Sequence, residues 1–192
     1  MNRSLLEQFF EHNNSNGYEL YNEAGLQHEL AIYLRNALPD HYVRLEYPIT
    51  RVFRPLQPFR KKEMDIYITD NEGRKYLIEL KVPRENCGAP KEMFHAIEDV
   101  KFAEELRSSG FTSCYCILIT ERSSFWLAPQ ADSGIYFRFN GEEVNISSIE
   151  NTDLPDFLMK KGAISLNQTY IATWKPFQDA HNVQWKYYIM EV

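Results

Sequence analysis

At 192 residues with 44% hydrophobic content, the chain is long enough to bury one sizeable core and gives no reason to expect a second domain. The 14% aromatic and 25% charged content excludes a disordered chain, and no apolar run approaches the roughly 20 residues of a membrane span, so a soluble protein is expected. The net charge of −6 excludes a protein that coats nucleic acid by bulk charge alone.

The amino terminus, Met1-Asn2-Arg3-Ser4-Leu5-Leu6-Glu7, runs into acidic and polar residues instead of the apolar core of a secretory signal, which predicts an intracellular, cytoplasmic address. Leu5, Leu6, Phe9 and Phe10 at helical spacing predict a packing helix from about Ser4 to His12, stopped by Asn13-Asn14-Ser15-Asn16-Gly17. A second helix is predicted from about Glu23 to Leu38, with Leu26, Leu30, Tyr33, Leu34 and Ala37 as its apolar stripe and Pro39 beyond its end. Glu29, three residues after Leu26 and four before Tyr33, is assigned to the inward face of that helix. Tyr42 to Ile49 alternates well enough for a first strand.

Between Arg51 and Lys62 lie five cations (Arg51, Arg54, Arg60, Lys61, Lys62) and no acid, in a stretch broken by Pro55 and Pro58. Such a loop can hold phosphates; a merely solvated charge run is the plain alternative. Next come two short apolar runs, Glu63-Met64-Asp65-Ile66-Tyr67-Ile68 and Tyr76-Leu77-Ile78-Glu79-Leu80-Lys81-Val82, joined by the turn-rich Asp70-Asn71-Glu72-Gly73. Successive side chains of a strand face opposite ways, so Glu79 and Lys81 share a face with Leu77 while Ile78, Leu80 and Val82 cover the other; Glu63 and Asp65 share a face on the first run. Charges among such apolar neighbours are costly unless partnered, which points to a metal ion, a charge network or catalysis.

After Pro83 and a loop from Arg84 to Pro90, the segment Lys91 to Ser108 carries Met93, Phe94, Ile97, Val100, Phe102 and Leu106 and is predicted as a long helix ended by Gly110. The strand Cys114 to Thr120 follows, parallel to the Glu79 strand because a helix of that length makes a crossover. Cys114 and Cys116 alternate within it and are read as packing residues, and the five histidines show no zinc-like spacing. Further strands are predicted at Ile135 to Phe139, Thr169 to Trp174 and Trp185 to Val192, with a short helix near Leu154 to Lys160. The aromatic tail (Tyr170, Trp174, Phe177, Trp185, Tyr187, Tyr188) is assigned to packing. The fold class is therefore α/β, a mixed sheet flanked by helices with core order α-β-β-β-α-β and additional carboxyl-terminal strands.

Asp65 and Glu79 on adjacent strands, converging with the backbone carbonyl of Leu80, would make a hard oxygen site suited to magnesium or manganese. A metal held there polarises a phosphodiester and lowers the pKa of bound water, and Lys81 orients that water or stabilises charge on the phosphoryl group. Glu29 is expected to complete the shell, with Glu63 a lesser candidate, and Lys101 on the following helix to contact a phosphate together with Arg54, Arg60, Lys61 and Lys62.

A helix with a glutamate, a strand, Asp65, thirteen residues, then Glu79-Leu80-Lys81, a helix and a strand resembles the PD-(D/E)XK nuclease superfamily, over about Glu23 to Thr120. The resemblance implies a restriction-endonuclease-like or Holliday-junction-resolvase-like core in which Asp65 and Glu79 bind a divalent metal and Lys81 assists the attacking water. Resolvase-like members carry a helical glutamate about a dozen residues ahead of the first strand, which fits Glu29 better than Glu23. Met64 stands where the family name has proline, and the acidic net charge departs from the basic balance of many DNA enzymes. The expected activity is a magnesium-dependent endonuclease acting on DNA in restriction or phage defence. A double-strand break needs two active sites or two passes, so a homodimer or partner subunit is part of that expectation. Three other readings stand beside it: a nuclease-fold protein that no longer cuts and binds nucleic acid or a protein partner, a structural salt-bridge cluster on a wet hairpin face, and a metal-free hydrolase using paired carboxylates on sugars, which would leave Lys81 without a task.

Overall fold

A computed structural model describes residues 1–16, 19–54, 59–83, 88–127 and 134–192. Pro55, Pro58, Gly17, Cys87 and most of the loop expected before the long helix lie outside the described residues.

Helix α1 (Arg3–Asn16) begins where the Asn2 side chain accepts the Leu5 amide at 3.1 Å, and it continues through the polar run because nothing before Gly17 interrupts it. Helix α2 (Glu23–Ala37) is capped by Asn22, whose side chain accepts from the Gly25 amide at 2.6 Å. Strands β1 (His41–Pro48), β2 (Glu63–Asp70) and β3 (Lys75–Lys81) form an antiparallel meander, followed by α3 (Ala89–Ser108) and β4 (Ser113–Thr120), which lies parallel to β3 with Glu79 opposite Cys116. The crossover thus has the direction expected from the length of α3. The chain then forms a short helix α4 (Gly134–Phe137) and strands β5 (Glu143–Ile146), β6 (Tyr170–Thr173), β7 (Lys175–Gln178) and β8 (Gln184–Glu191). The main sheet has the order β1-β2-β3-β4-β8-β7, and β5 and β6 make a separate two-stranded sheet.

Two apolar clusters lie on opposite faces of the main sheet. On one, Leu6, Phe10, Leu30 and Leu34 of α1 and α2 meet Ile66, Ile78, Leu80 and Ile117, with Phe10 stacked on Tyr187 at 4.1 Å. On the other, Met93, Phe94 and Ile97 of α3 meet Leu77, Cys114, Cys116 and Leu118, and the β5–β6 layer closes over α3. Glu104, buried on α3, ties that layer down by accepting the Asn167 amide at 2.6 Å and the Tyr170 hydroxyl at 3.0 Å. Cys114 and Cys116 are buried in β4, as packing residues should be. Among the described residues no helix is long and apolar enough to cross a membrane.

Two expectations are corrected and two short strands are added. Residues 135–139 are not a strand: Ile135 and Phe139 are both buried at i, i+4 spacing, and a run this short fits either period until its neighbours decide. The helix expected at 154–160 is two isolated 3₁₀ turns, Asn151–Asp153 and Met159–Lys161, with Pro155 between them. Strands β5 and β7 carry only four residues each, too few for a pattern, and β7 contains Pro176, which an edge position tolerates.

The carboxyl end of α3 closes with paired bonds, Phe111 amide to Leu106 carbonyl and Gly110 amide to Arg107 carbonyl, both 3.1 Å, and Gly110 has φ +96°. An added Cβ would meet open space there, so Gly110→Ala should cost only the backbone strain, about 1 kcal/mol, readable as a small fall in Tm with no change of fold.

Candidate active site

The backbone ladder between β2 and β3 runs from Thr69–Lys75 to Ile66–Ile78. One residue further, side chains take over the backbone's partners. Glu79 Oε1 accepts the Asp65 amide at 3.2 Å, and Asp65 Oδ2 accepts the Leu80 amide at 2.7 Å. This exchange lets two carboxylates sit in the sheet with their oxygens hydrogen-bonded, as buried acceptors require. Ile78, Leu80 and Val82 pack on the α1–α2 face while Leu77 packs toward α3, and Glu79 and Lys81 border a crevice with Ala96 and Asp99 of α3 and Cys116 and Tyr188 of the sheet.

Lys61, from the basic segment ahead of β2, turns its ammonium inward. It pairs with Glu79 Oε2, with Asp99 Oδ1 at 3.0 Å, and more distantly with Asp65 Oδ1 at 3.9 Å. Lys81 pairs with Glu23 at 3.2 Å, and Glu23 Oε2 also accepts the Val82 amide at 3.0 Å. Four acids (Asp65, Glu79, Asp99, Glu23) therefore share two lysines, which leaves two negative charges uncompensated if every acid is ionised. The electrostatics show that surplus. Burial, with the Asp99 charge adding to it, raises the Asp65 carboxyl to about 6 against the opposing pull of Lys61. Burial and the neighbouring Asp65 raise Glu79 as well, and burial raises Asp99. For both lysines burial works against the charge, but the attraction of the acids outweighs it and each is held more firmly protonated than usual.

Behind Asp65 lies a positioning layer. Gln27 of α2 donates to the Asp65 carbonyl at 2.8 Å and to Glu46 Oε1 at 2.6 Å, and Glu46 holds φ +45°, a conformation that side-chain-bearing residues seldom adopt. Backbone strain of this kind collects where geometry is over-determined around a site.

The expected site residues are thus brought together only in part. Asp65, Glu79 and Lys81 converge. Glu29 does not join them: its side chain lies beside His28 at 3.8 Å, because the buried stripe of α2 runs Gln27, Leu30 and Leu34, and the acid in line with that stripe one turn earlier is the half-exposed Glu23. Glu23 is the helical acid at the cluster. Glu63 is exposed at the start of β2. Of the cations expected to meet phosphate, Arg54 and Lys62 are exposed, Arg60 is held by Glu98 at 2.9 Å, Lys101 by Glu104 at 3.1 Å, and Lys61 belongs to the acid cluster. Asp99 was legible only as one more acid on α3, although its place on a stripe with Ala96 and Ala103, two small inward residues, marks it as facing the sheet.

Among the described residues, no three histidine, cysteine, aspartate or glutamate side chains stand as a ready-made metal cage. The donors are nonetheless those a hard divalent cation prefers, carboxylate oxygens, and a cationic group already sits at their convergence in the form of the Lys61 ammonium. The residues therefore fit a magnesium- or manganese-type ion in chemistry and in charge. No family model, no curated protein and no solved structure matches the chain.

Proposed function

We propose that this protein is a divalent-metal-dependent endonuclease of the restriction-endonuclease-like class, hydrolysing DNA phosphodiester bonds in a cytoplasmic restriction or phage-defence setting. The observation that carries this reading is the meeting of Asp65 and Glu79 at the end of the β2–β3 ladder, with Lys81 beside them. The order α2-β1-β2-β3-α3-β4, with β4 parallel to β3, supports it as the scaffold that the sequence resemblance implies.

In this reading Asp65, Glu79 and the Leu80 carbonyl would hold the ion, and Glu23 would take the part first assigned to Glu29. Bound there, magnesium or manganese supplies a Lewis acid for the phosphodiester and a water of lowered pKa. Lys81, kept charged by Glu23, Asp99 and Asp65, orients that water and stabilises negative charge growing on the phosphoryl oxygens. Gln27 fixes the Asp65 backbone so that its carboxylate does not swing away. Lys62, exposed beside Lys61, and Arg54, exposed in the same basic segment, offer charge to the DNA backbone; Arg60 joins them by giving up its partly exposed pair with Glu98, a contact of small worth. Cutting both strands would engage a second copy or a partner subunit.

One observation favours a second reading, a nuclease-fold protein that binds nucleic acid or a partner without cutting: the carboxylates already hold a cation, Lys61. The two part on a direct assay. Purified protein is incubated with supercoiled, linear, branched and single-stranded DNA, with magnesium, with manganese and with chelator. Nicking or linearisation that needs the ion is the expected result; intact substrates under every ion condition would leave only the binding reading.

A further inference from the structure

We infer that Lys61 is a resident cation that keeps the metal position closed, so that a divalent ion and the Lys61 ammonium compete for the same oxygens of Glu79, Asp99 and Asp65. This rests on the reading of the carboxylate cluster as a metal site. The ammonium is a compact point charge placed where Glu79 and Asp99 both reach it, the position a hard cation would take. The crevice bounded by Glu79, Lys81, Ala96, Asp99, Cys116 and Tyr188 is too narrow to admit a water molecule. The Lys61 ammonium itself occupies the space between Glu79 Oε2 and Asp99 Oδ1, so an ion coordinated by those same oxygens has to displace it.

The exchange must be cation for cation. The Glu79 side chain is fully buried, and stripping it of Lys61 without replacement would leave an unpaired charge inside the protein. Departure of Lys61 is otherwise lightly opposed. Its flexible stem carries the head outward by bond rotation, the Phe102 ring at 5.8 Å gives only a modest cation–π contact, and Lys62 next to it already faces solvent. Arg60 on the other side is anchored to α3 through Glu98 and through the Glu105 carboxylate, so the backbone stays in place while the side chain moves. The consequence is a site whose apparent metal affinity is lowered by the fraction of time Lys61 occupies it.

The test is a manganese titration of the wild-type chain, Lys61→Met and Lys61→Gln by calorimetry and electron paramagnetic resonance, with thermal melts with and without the ion. Both variants are expected to bind manganese about ten- to a hundredfold more tightly than wild type, and to gain more in Tm from it. Equal or weaker affinity in both would overturn the inference. Should Lys61→Met be unfolded in chelator, recovery of its circular dichroism on adding manganese supports the exchange; no recovery, with no tightening in Lys61→Gln, overturns it. DNA cleavage measured alongside separates the two claims. Ion-dependent cleavage by wild type with no tighter binding in the variants removes only the role of Lys61, whereas tighter binding with no cleavage by any chain removes only the nuclease reading.

Discussion

Asp65→Ala and Lys81→Ala are both expected to abolish DNA cleavage, but for reasons that separate on a second measurement. Asp65 supplies an oxygen to the ion and, through Oδ2, holds the Leu80 amide beside the ladder's end. Its removal takes away several kcal/mol of transition-state charge stabilisation, a loss of about 10³-fold or more in rate, together with most of the metal affinity. Lys81 supplies a charge that acts on water and phosphoryl oxygens, so its loss should cost about 10² to 10⁴-fold in rate while manganese binding survives. Single-turnover cleavage of plasmid DNA, paired with manganese titration of each variant, reads both quantities. Cleavage at the wild-type rate by either variant sinks the assignment. Lys81→Met serves as a control that keeps the buried stem, and circular dichroism shows whether the fold is intact.

A second large effect concerns stability. In the metal-free protein Asp65→Asn should be more stable than wild type at pH 7 to 8. Burial raises the Asp65 carboxyl from 3.8 to about 6 in the folded chain. The folded state therefore binds that proton more tightly than the unfolded state. The stabilisation is fully present below about pH 4 and is lost as the pH rises through about 6. A shift of two pK units corresponds to about 3 kcal/mol, and for a chain of this size to roughly 6–10 °C in Tm. Asparagine carries no such penalty and can still accept the Leu80 amide. The difference in Tm between the two proteins, measured in chelator, should be near zero at pH 4, widen between about pH 4 and 6, and level off at higher pH. Manganese should narrow it by stabilising only the wild type, because the ion takes over the charge that the folded chain otherwise holds at a cost. A difference that stays flat across this range would mean that the Asp65 charge is already fully offset by Lys61.

The same surplus of acid explains why this site is legible in a single sequence at all. Glu79 and Lys81 break an apolar strand whose other residues are buried, and Asp65 does so on the neighbouring strand, so the alternation of a hairpin suffices to bring them to one face. Glu29 failed for a reason equally local. Helical spacing from Leu26 and Tyr33 leaves it on the border of the stripe, and Gln27, a polar residue with 8% exposure, is the one that points to the sheet. Gln27 and Glu23 lie four residues apart, so the better reading was available once a polar residue was allowed to define the inner face.

Periodicity and punctuation in the sequence determined the order of helices and strands through β4, the parallel return of that strand, the faces of the hairpin and the packing role of Cys114 and Cys116, because each depends on neighbours only a few residues away. The short strands β5 and β7 and the helix at 134–137 were decided by tertiary packing, since four residues carry too little pattern to choose a conformation. So were the two interactions on which the proposed chemistry turns: Lys61 reaches Glu79 and Asp99 across separations of 18 and 38 residues, and only the folded sheet with α3 against it sets how far a lysine stem reaches and which acid it meets.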